Sequence, residues 1–388
     1  MTHTDPLNID RRTFLRNSLI ASGFLLSTHG VRPAFATRDM RHLPPVKVTR
    51  DRIIRELVGL RPYRNEGFVV AAEKVGNKLL IHNYGHGGAG ITLSWGTATQ
   101  AVDLLKDFPL RAANVRRGAL PRRFAVVGCG VNGLSTAIML QRRYGNGAGE
   151  VTIYARDLPP NTTSNIAAGY WSPVSLFDHS AISTKFDEQF RNAARISNRA
   201  FQILVGSPEY GVRWIDIFTH HQNENQLYDL PGGNDLYPQQ IIHRAPNNQF
   251  NVPIVRQFSS MMIESPKYLR ALLRDFYTAG GKIVVKEFRD RQELAGLKEE
   301  IIFNCSGLGA RQLFGDDKLI PVRGQLEVLM PQPEIDYGYI GAAHMFPRSD
   351  GIFLGGTFDP NEWSLEVNPD HRRNIIDSHV AIMKQFKS

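Results

Sequence analysis

The chain carries only two cysteines in 388 residues, too few for a disulfide scaffold. No stretch reaches the ~18 consecutive apolar residues of a membrane span. Internal repeats and low-complexity tracts are absent, as are a nucleophile elbow and a Ser/His/Asp order that would suggest a hydrolase. His220, His221 and His243 lack metal-ligand spacing, so no metal site is expected. Acidic residues are the scarcer charge, 37 against 46 Lys+Arg, a formal +9. That excess is scattered. Its densest groups, residues 111–117 with Arg122/Arg123 and Arg11/Arg12, sit in an apparent linker and an apparent leader, so nucleic-acid binding is not expected. What remains is 42% hydrophobic and 10% aromatic, a composition that excludes disorder and suits one large domain or two interleaved ones.

Residues 1–36 read as a processed leader. Asp10-Arg11-Arg12-Thr13-Phe14-Leu15 precedes a weakly apolar run over residues 19–26 and then Ala34-Phe35-Ala36. This is a charged region, a short apolar region and a small-x-small cleavage site. Adjacent arginines before a Phe-Leu pair resemble the twin-arginine export signal of bacteria, whose route carries folded proteins and suits one that must acquire a cofactor first. The expectation is a periplasmic or otherwise exported protein handled by the twin-arginine (Tat) machinery, cut after Ala36, with no transmembrane span in its mature form. Losing four arginines and two aspartates would lower the charge from +9 to +7. Cys129 and Cys305 fall in apparent buried turns and read as small core residues.

The informative unit comes late. Phe124-Ala125-Val126-Val127 is a continuous apolar run, typical of a buried parallel strand. Gly128-Cys129-Gly130-Val131-Asn132-Gly133 follows, then an amphipathic helix over 134–143 and a second strand over 151–155. In a strand–turn–helix setting the first glycine permits the tight turn. The second lets the backbone approach a pyrophosphate, and the third lets helix and strand pack closely. The pyrophosphate would rest on the helix N-terminus. An acidic ribose ligand is missing from the end of the second strand, where Arg156 stands with Asp157 beyond it, which argues against a plain NAD site.

Residues 151–173 read VTIYARDLPPNTTSNIAAGYWSP. This segment resembles the flavin-binding segment of the D-amino-acid oxidase family of FAD-dependent oxidoreductases. Three later stretches, Ile301-Ile302-Phe303-Asn304-Cys305-Ser306-Gly307, Val322-Arg323-Gly324-Gln325 and Leu354-Gly355-Gly356-Thr357 with Trp363, are similar to that family in the same order. The resemblance implies an α/β fold: a doubly wound, Rossmann-like FAD-binding domain beside a mostly antiparallel α+β substrate domain. It implies FAD contacts at Gly128, Gly130, Val131, Asn132 and Gly133, and at Arg156, Thr162, Thr163, Ser164, Ala168, Gly169, Trp171, Phe288, Ser306 and Gly307.

One block is displaced. Family members end with Gly-x-Arg-Pro, a His-Asn-Tyr-Gly-His-Gly-Gly turn and a closing helix. Here Gly59-Leu60-Arg61-Pro62 and Ile81-His82-Asn83-Tyr84-Gly85-His86-Gly87-Gly88-Ala89-Gly90 come first, with a helix around 98–105, and the chain closes on a helix over 371–386. The resemblance therefore implies a circular permutant, tolerable where the ends of a domain lie close together. The expected organisation is a leader (1–36), a substrate-domain strand (37–66), a cofactor turn and helix (67–109), a linker (110–123) and FAD-binding sequence (124–176). Substrate domain (177–282), FAD domain (283–322) and substrate domain (323–388) complete it.

By the same resemblance Arg61 binds the carboxylate of a small amine or amino-acid substrate, and its planar fork suits that bidentate role. The turn residues Gly85, Gly87, Gly88, Ala89, Gly90, Ile91 and Thr92 border the flavin, with backbone N–H groups facing negative charge there. The Gly88 carbonyl accepts from the substrate amine, and side chains at Gly87 or Gly88 would collide with the ring. His82 and His86 read as structural hydrogen-bonding residues and Arg64 as ion-pair or solvent material. The implied reaction is hydride transfer from the α-carbon to flavin N5, with O2 as the expected acceptor. Residues 252–263 lack the active-site tyrosines of family oxidases, and Ser172 stands where many relatives carry Gln. A dehydrogenase using a quinone or carrier and a non-catalytic periplasmic flavoprotein therefore remain alternatives. Arg256 could meet a second anionic group or be an ordinary strand-face residue.

Overall fold

The structure is a computed structural model describing residues 40–107, 122–144 and 149–387. The expected leader and nearly all of the linker at 110–123 lie outside the described residues. Along the chain come β1 (Ile53–Tyr63), β2 (Val69–Val75), β3 (Lys78–Tyr84), α1 (Gly90–Asp103), β4 (Arg122–Val127), α2 (Val131–Tyr144) and β5 (Gly149–Ala155). Then follow α3 (Thr163–Ile166), α4 (Thr184–Leu204), β6 (Val212–His221), β7 (Ile241–Arg244), β8 (Ile254–Ile263), α5 (Ser265–Thr278) and β9 (Lys282–Val285). The remainder is α6 (Arg291–Ala295), β10 (Ile301–Asn304), α7 (Gly309–Phe314), β11 (Ile320–Leu329), β12 (Tyr337–Ile340), β13 (His344–Arg348), β14 (Gly351–Gly355), β15 (Asp359–Pro360) and α8 (Pro369–Gln385).

Six strands pair in the order β2-β3-β10-β4-β5-β9. They run parallel from β3 onward, with β2 added as an antiparallel hairpin partner. Alternation buries both faces. Leu79, Ile81, Phe124, Val126, Ile301 and Phe303 join Ala101 of α1 and Leu134 of α2 in one core. Leu80, Ala125, Val127 and Ile302 join Leu294 of α6 and Leu313 of α7 in another. Strands covered on both faces are apolar throughout, which is why 124–127 reads as an unbroken run.

The second sheet has the order β1-β11-β14-β13-β12-β6-β8-β7, with β15 on β11. Every pairing is antiparallel except β12 with β6. Two expected boundaries shift. β11 begins at Ile320, because Tyr63, Pro62 and Arg61 of β1 already pair with Ile320, Pro321 and Val322. Helices α4 and α5, expected with the substrate domain, pack on the nucleotide-side helices. Ser197 Oγ accepts from the Gly96 N–H of α1 at 2.7 Å, and Gln141 of α2 donates to the Phe276 carbonyl at 2.9 Å. A Cβ on Gly96 would lie 2.0 Å from the Ala193 carbonyl, so glycine permits that helix crossing. An amphipathic helix buries its stripe against whichever apolar layer adjoins it.

Gln249 ties two distant parts of the chain. Its Oε1 accepts from the Leu43 N–H at 2.7 Å, and its Nε2 donates to the Lys387 carbonyl at 2.9 Å. Phe386 packs edge-on against Phe250, 5.1 Å between centroids.

Candidate active site

Four neighbouring strands, β3, β10, β4 and β5, release the chain from their carboxyl ends into the turns at 85–90, 305–307, 128–133 and 156–157. Parallel sheets bind ligands at that edge. The turns line one cavity of about 1790 Å³, roofed by residues from β1, β6, β8, β11, β12 and β13. Sequence-distant glycine motifs meet because the sheet order interleaves their strands.

Each glycine of the 128–133 turn has its own reason. Gly128 has φ +107°, and a Cβ there would lie 2.4 Å from the Cys305 carbonyl. On Gly133 a Cβ would stand 2.0 Å from the Gly128 carbonyl, so strand and helix meet backbone to backbone. Gly130 meets only Ser164 Oγ, at 3.2 Å, and leaves the cavity side open. Ser164 Oγ also accepts from the Val131 N–H at 3.0 Å, linking this turn to the Thr162–Thr163–Ser164 stretch. The second turn is joined to it through Asn132 Nδ2 and His86 Nδ1, 3.1 Å apart. His86 Nε2 and Asn132 Oδ1 are buried without a protein partner, and burial pushes His86 down to about 3, so it is neutral.

At Gly87 and Gly88 the protein's own packing also bears on the choice of glycine. A Cβ on Gly87 would fall 2.3 Å from the Ser175 carbonyl, and one on Gly88 would lie 3.0 Å from Ser175 Cβ. The packing of the protein itself demands glycine at Gly87 and crowds a side chain at Gly88. The Gly88 N–H donates to the Ser175 carbonyl at 2.8 Å. His82 bonds Glu73 and Asn304, both at 3.0 Å. Arg64 pairs with Asp316, which also accepts from Tyr84 at 2.8 Å. Both cysteines are free, and burial raises each thiol to about 12.

Of the predicted site residues, all but Gly133, Ala89 and Trp171 line the cavity. Gly133 and Ala89 are buried. Trp171 is fully buried, with its ring 5.8 Å from that of Tyr237, so its side chain does not line the cavity. The cavity face of this extended segment belongs to Tyr170 and Ser172, because successive side chains alternate.

Arg61 lies across Gly324, where a Cβ would come within 2.4 Å of its Nη1. Its Nη1 donates to the carbonyls of Thr357 (3.2 Å) and Arg323 (3.4 Å). Its Cδ is 3.6 Å from the Cβ position of Gly88. Burial lowers its pKa and Asp359 partly offsets this, yet arginine remains charged. Asp359 itself pairs with Arg323 at 3.1 Å. His344 of β13 shares the wall; burial first, and the charge of Arg61 second, push it down to about 4.

Sequence reasoning left the role of Arg256 open and did not single out Phe258, Tyr170, Tyr228, His344 or Phe346 as wall residues. The tyrosine-free segment at 252–263 contributes Arg256 and Phe258, whereas Tyr170 and Tyr228 come from elsewhere. His344 with Phe346, and Arg256 with Phe258, follow the two-residue period of their strands. That period gives the shared face but not what the face covers. Among the described residues, glycine turns at the carboxyl ends of a parallel sheet thus face a large cavity roofed by an antiparallel sheet bearing a half-buried arginine.

This architecture defines the class: a dinucleotide-dependent oxidoreductase with a separate substrate sheet. Residues 123–388 match the model of the family described as FAD dependent oxidoreductase (DAO). The chain is 32% identical to a D-amino-acid oxidase of Rubrobacter xylanophilus, over 70% of this chain and 80% of that protein. It is 31% identical to human D-aspartate oxidase, over 67% of this chain and 75% of that protein. A glycine oxidase from Bacillus cereus shares the fold at 15% identity, with a TM-score of 0.51 over 69% of this chain and 80% of that one. The chain belongs to the FAD-dependent oxidoreductase family, and its cofactor is FAD. The three-glycine turn, the unpartnered His86 and Asn132 atoms and the absence of an acid from the 128–133 turn fit that group.

Proposed function

We propose that the chain oxidises an amino acid at its α-carbon, with the substrate carboxylate held by Arg61. One observation carries this reading: a half-buried, permanently charged guanidinium faces the cavity, held by main-chain carbonyls and with no carboxylate in ion-pair contact among the described residues. Its free donors suit a bidentate carboxylate. The amino-acid oxidase names of relatives near 30% identity support the same substrate class. FAD, when bound, supplies the hydride-accepting chemistry, and we take O2 as the final acceptor. Gly128, Gly130, Val131, Ser164 and the 305–307 turn would hold it. The Gly88 carbonyl accepts from the substrate amine, fixing the α-hydrogen's direction together with Arg61. A neutral His344 beside them adds no second positive charge.

We also infer an exported, circularly permuted protein, organised as eight successive segments of leader, linker and alternating domains. Export is supported by the paired arginines before Phe14-Leu15 and by Ala34-Phe35-Ala36. No helix among the described residues is long and apolar enough to cross a membrane. Permutation is supported by the family match beginning only at residue 123, by the Gly-Leu-Arg-Pro and Gly-His-Gly-Gly stretches preceding it, and by the Gln249 bridge between Leu43 and Lys387.

The test is anaerobic bleaching of the purified flavoprotein by amino, imino and hydroxy acids, followed by peroxide assay in air. Amino acids should bleach the flavin; failure of every one would remove the reading. Arg61→Lys should retain flavin yet lose about 2–4 kcal/mol in kcat/KM for acids, since lysine lacks the fork. Substrate amides should show little loss. Equal losses for acid and amide would mean that Arg61 supports the loop rather than the ligand.

A further inference from the structure

A row of hydrogen bonds leaves the cofactor wall and ends at the protein surface. Ser306, in the 305–307 turn, lines the cavity. Its Oγ and its N–H both donate to Asn304 Oδ1, at 2.7 and 3.2 Å. Asn304 Nδ2 stands 3.0 Å from His82 Nδ1, and His82 Nε2 stands 3.0 Å from Glu73 Oε1. Arg291 Nη2 donates to the same Glu73 oxygen at 2.8 Å. Asn304 and His82 are neighbours across the parallel pairing of β10 with β3, and both are buried. The Glu73 and Arg291 side chains, by contrast, are 39% and 42% exposed. Asn304, His82, Glu73 and Arg291 all stand outside the lining of the large cavity.

The row has one polarity. A main-chain N–H can only donate, so the Asn304 atom facing Ser306 must be the carbonyl oxygen. The amide nitrogen then faces His82, and it too can only donate. His82 Nδ1 must therefore accept, which leaves the ring neutral, with its one proton on Nε2 and directed at Glu73. A second proton on the ring would turn Nδ1 into a donor aimed at another donor. The amide would have to reverse, setting Nδ2 against the Ser306 N–H, and the main chain of the cofactor turn would lose its acceptor. The groups around His82 are Asn304 on β10, Glu73 on β2, Arg291 on α6 and Tyr84 on its own strand. Two residues past the Phe314 ring that meets it edge-on comes Asp316, held by Arg64 and Tyr84. Burial, the strongest influence, holds His82 below its ordinary value; Glu73 and Asp316 pull it up and Arg291 pushes it down.

We propose that His82 is a positioning residue for FAD, operated by a proton: neutral, it keeps the Asn304 carbonyl on the Ser306 turn, and protonated, it reverses that amide and loosens the turn. This goes beyond the amino-acid reading and rests only on the 305–307 turn holding the cofactor. Glu73 and Arg291 set the balance from the surface. A proton that weakens FAD binding is itself displaced by FAD, so affinity should fall on acidification by up to about tenfold per pH unit.

The readout is the affinity of apoprotein for FAD, by flavin fluorescence titration from about pH 8 to about pH 5, with near-UV circular dichroism reporting the fold at each pH. Wild type should bind progressively more weakly as the pH falls below about 6.5. Glu73→Gln removes a charge that favours the second proton and should move this acid limb to lower pH, by about half to one unit. Arg291→Gln removes a charge that opposes it and should move the limb by a similar amount to higher pH. Neither side chain reaches the cavity, so opposite shifts cannot come from a lost contact with the cofactor. Asn304→Leu should weaken binding on the order of 10- to 100-fold at about pH 8 and flatten the profile. Should that variant fail to fold, the paired surface variants still decide. A flat wild-type profile, or surface variants that shift the limb in one direction or not at all, overturns the proposal. Unchanged affinity in Asn304→Leu overturns it too, by taking the turn away from the cofactor, and leaves the amino-acid reading of Arg61 standing.

Discussion

The two walls of the cavity are made of different material. The cofactor side consists largely of backbone: glycine turns leaving the ends of β3, β4 and β10, packed so closely that a Cβ on Gly128 or Gly133 would lie 2.4 or 2.0 Å from a carbonyl oxygen. The substrate side consists of side chains, one or two from each of several antiparallel strands, among them Arg61, Arg256, Phe258, His344 and Phe346. A backbone-built wall tolerates almost no substitution, because the constraint is steric and comes from the chain itself. A side-chain-built wall keeps its shape while its chemistry changes residue by residue, so substrate choice resides there.

The largest effect should come from breaking the first wall. Gly133→Val should destabilise the apoprotein by on the order of 3 kcal/mol in urea unfolding, since its Cβ meets a backbone carbonyl that cannot move aside. Gly130→Val meets only the Ser164 hydroxyl, so it should fold and yet purify without flavin. Full flavin absorbance in that variant would show that this turn is not the pyrophosphate site.

On the second wall the expected effect depends on pH. Burial lowers His344 from 6.5 to about 4. The unfolded chain therefore binds a proton below about pH 6.5 that the folded chain refuses until about 4. Stability present above pH 6.5 should fall as pH drops towards 4, by up to about 1.4 kcal/mol per unit for this group. His344→Asn should flatten the unfolding free energy against pH in that window by up to one proton. An unchanged slope would mean that His344 is solvated.

The smallest effect should come from Arg156→Ala. The side chain is 67% exposed and shared between Asp157 and Glu287, so its ion pairs should contribute less than about 1 kcal/mol to stability. FAD affinity, read by fluorescence titration, should fall about tenfold or less. A far larger loss would move part of the cofactor wall from backbone to side chain.

This contrast also sets what could be read before folding. Gly128, Gly130 and Gly133 announce themselves because a turn, a close approach and a helix contact fall within six consecutive residues. Phe124 to Val127 betrays a strand covered on both faces. The ring of Trp171 turns away from the cavity, because an irregular extended segment alternates its faces without marking in sequence which one meets the cavity. Helices α4 and α5 each bury one apolar face, but such a face specifies burial and not the layer that provides it. His344 and Arg256 lie on strands that become neighbours of the cavity only once β12 pairs with β6 and β8 follows. Nothing within a short window of sequence encodes those pairings.

The Gln249 bridge has a mechanical consequence. Tension applied between Leu43 and Lys387 would reach this one amide before it reached any strand pair, because its Oε1 and Nε2 span the two points directly at 2.7 and 2.9 Å. The Lys387 N–H returns a bond to the Gln249 carbonyl at 2.8 Å. The force that starts to open the molecule is therefore set by a handful of hydrogen bonds. Once they part, the load passes to β1 at one end and to α8, packed on the antiparallel sheet, at the other.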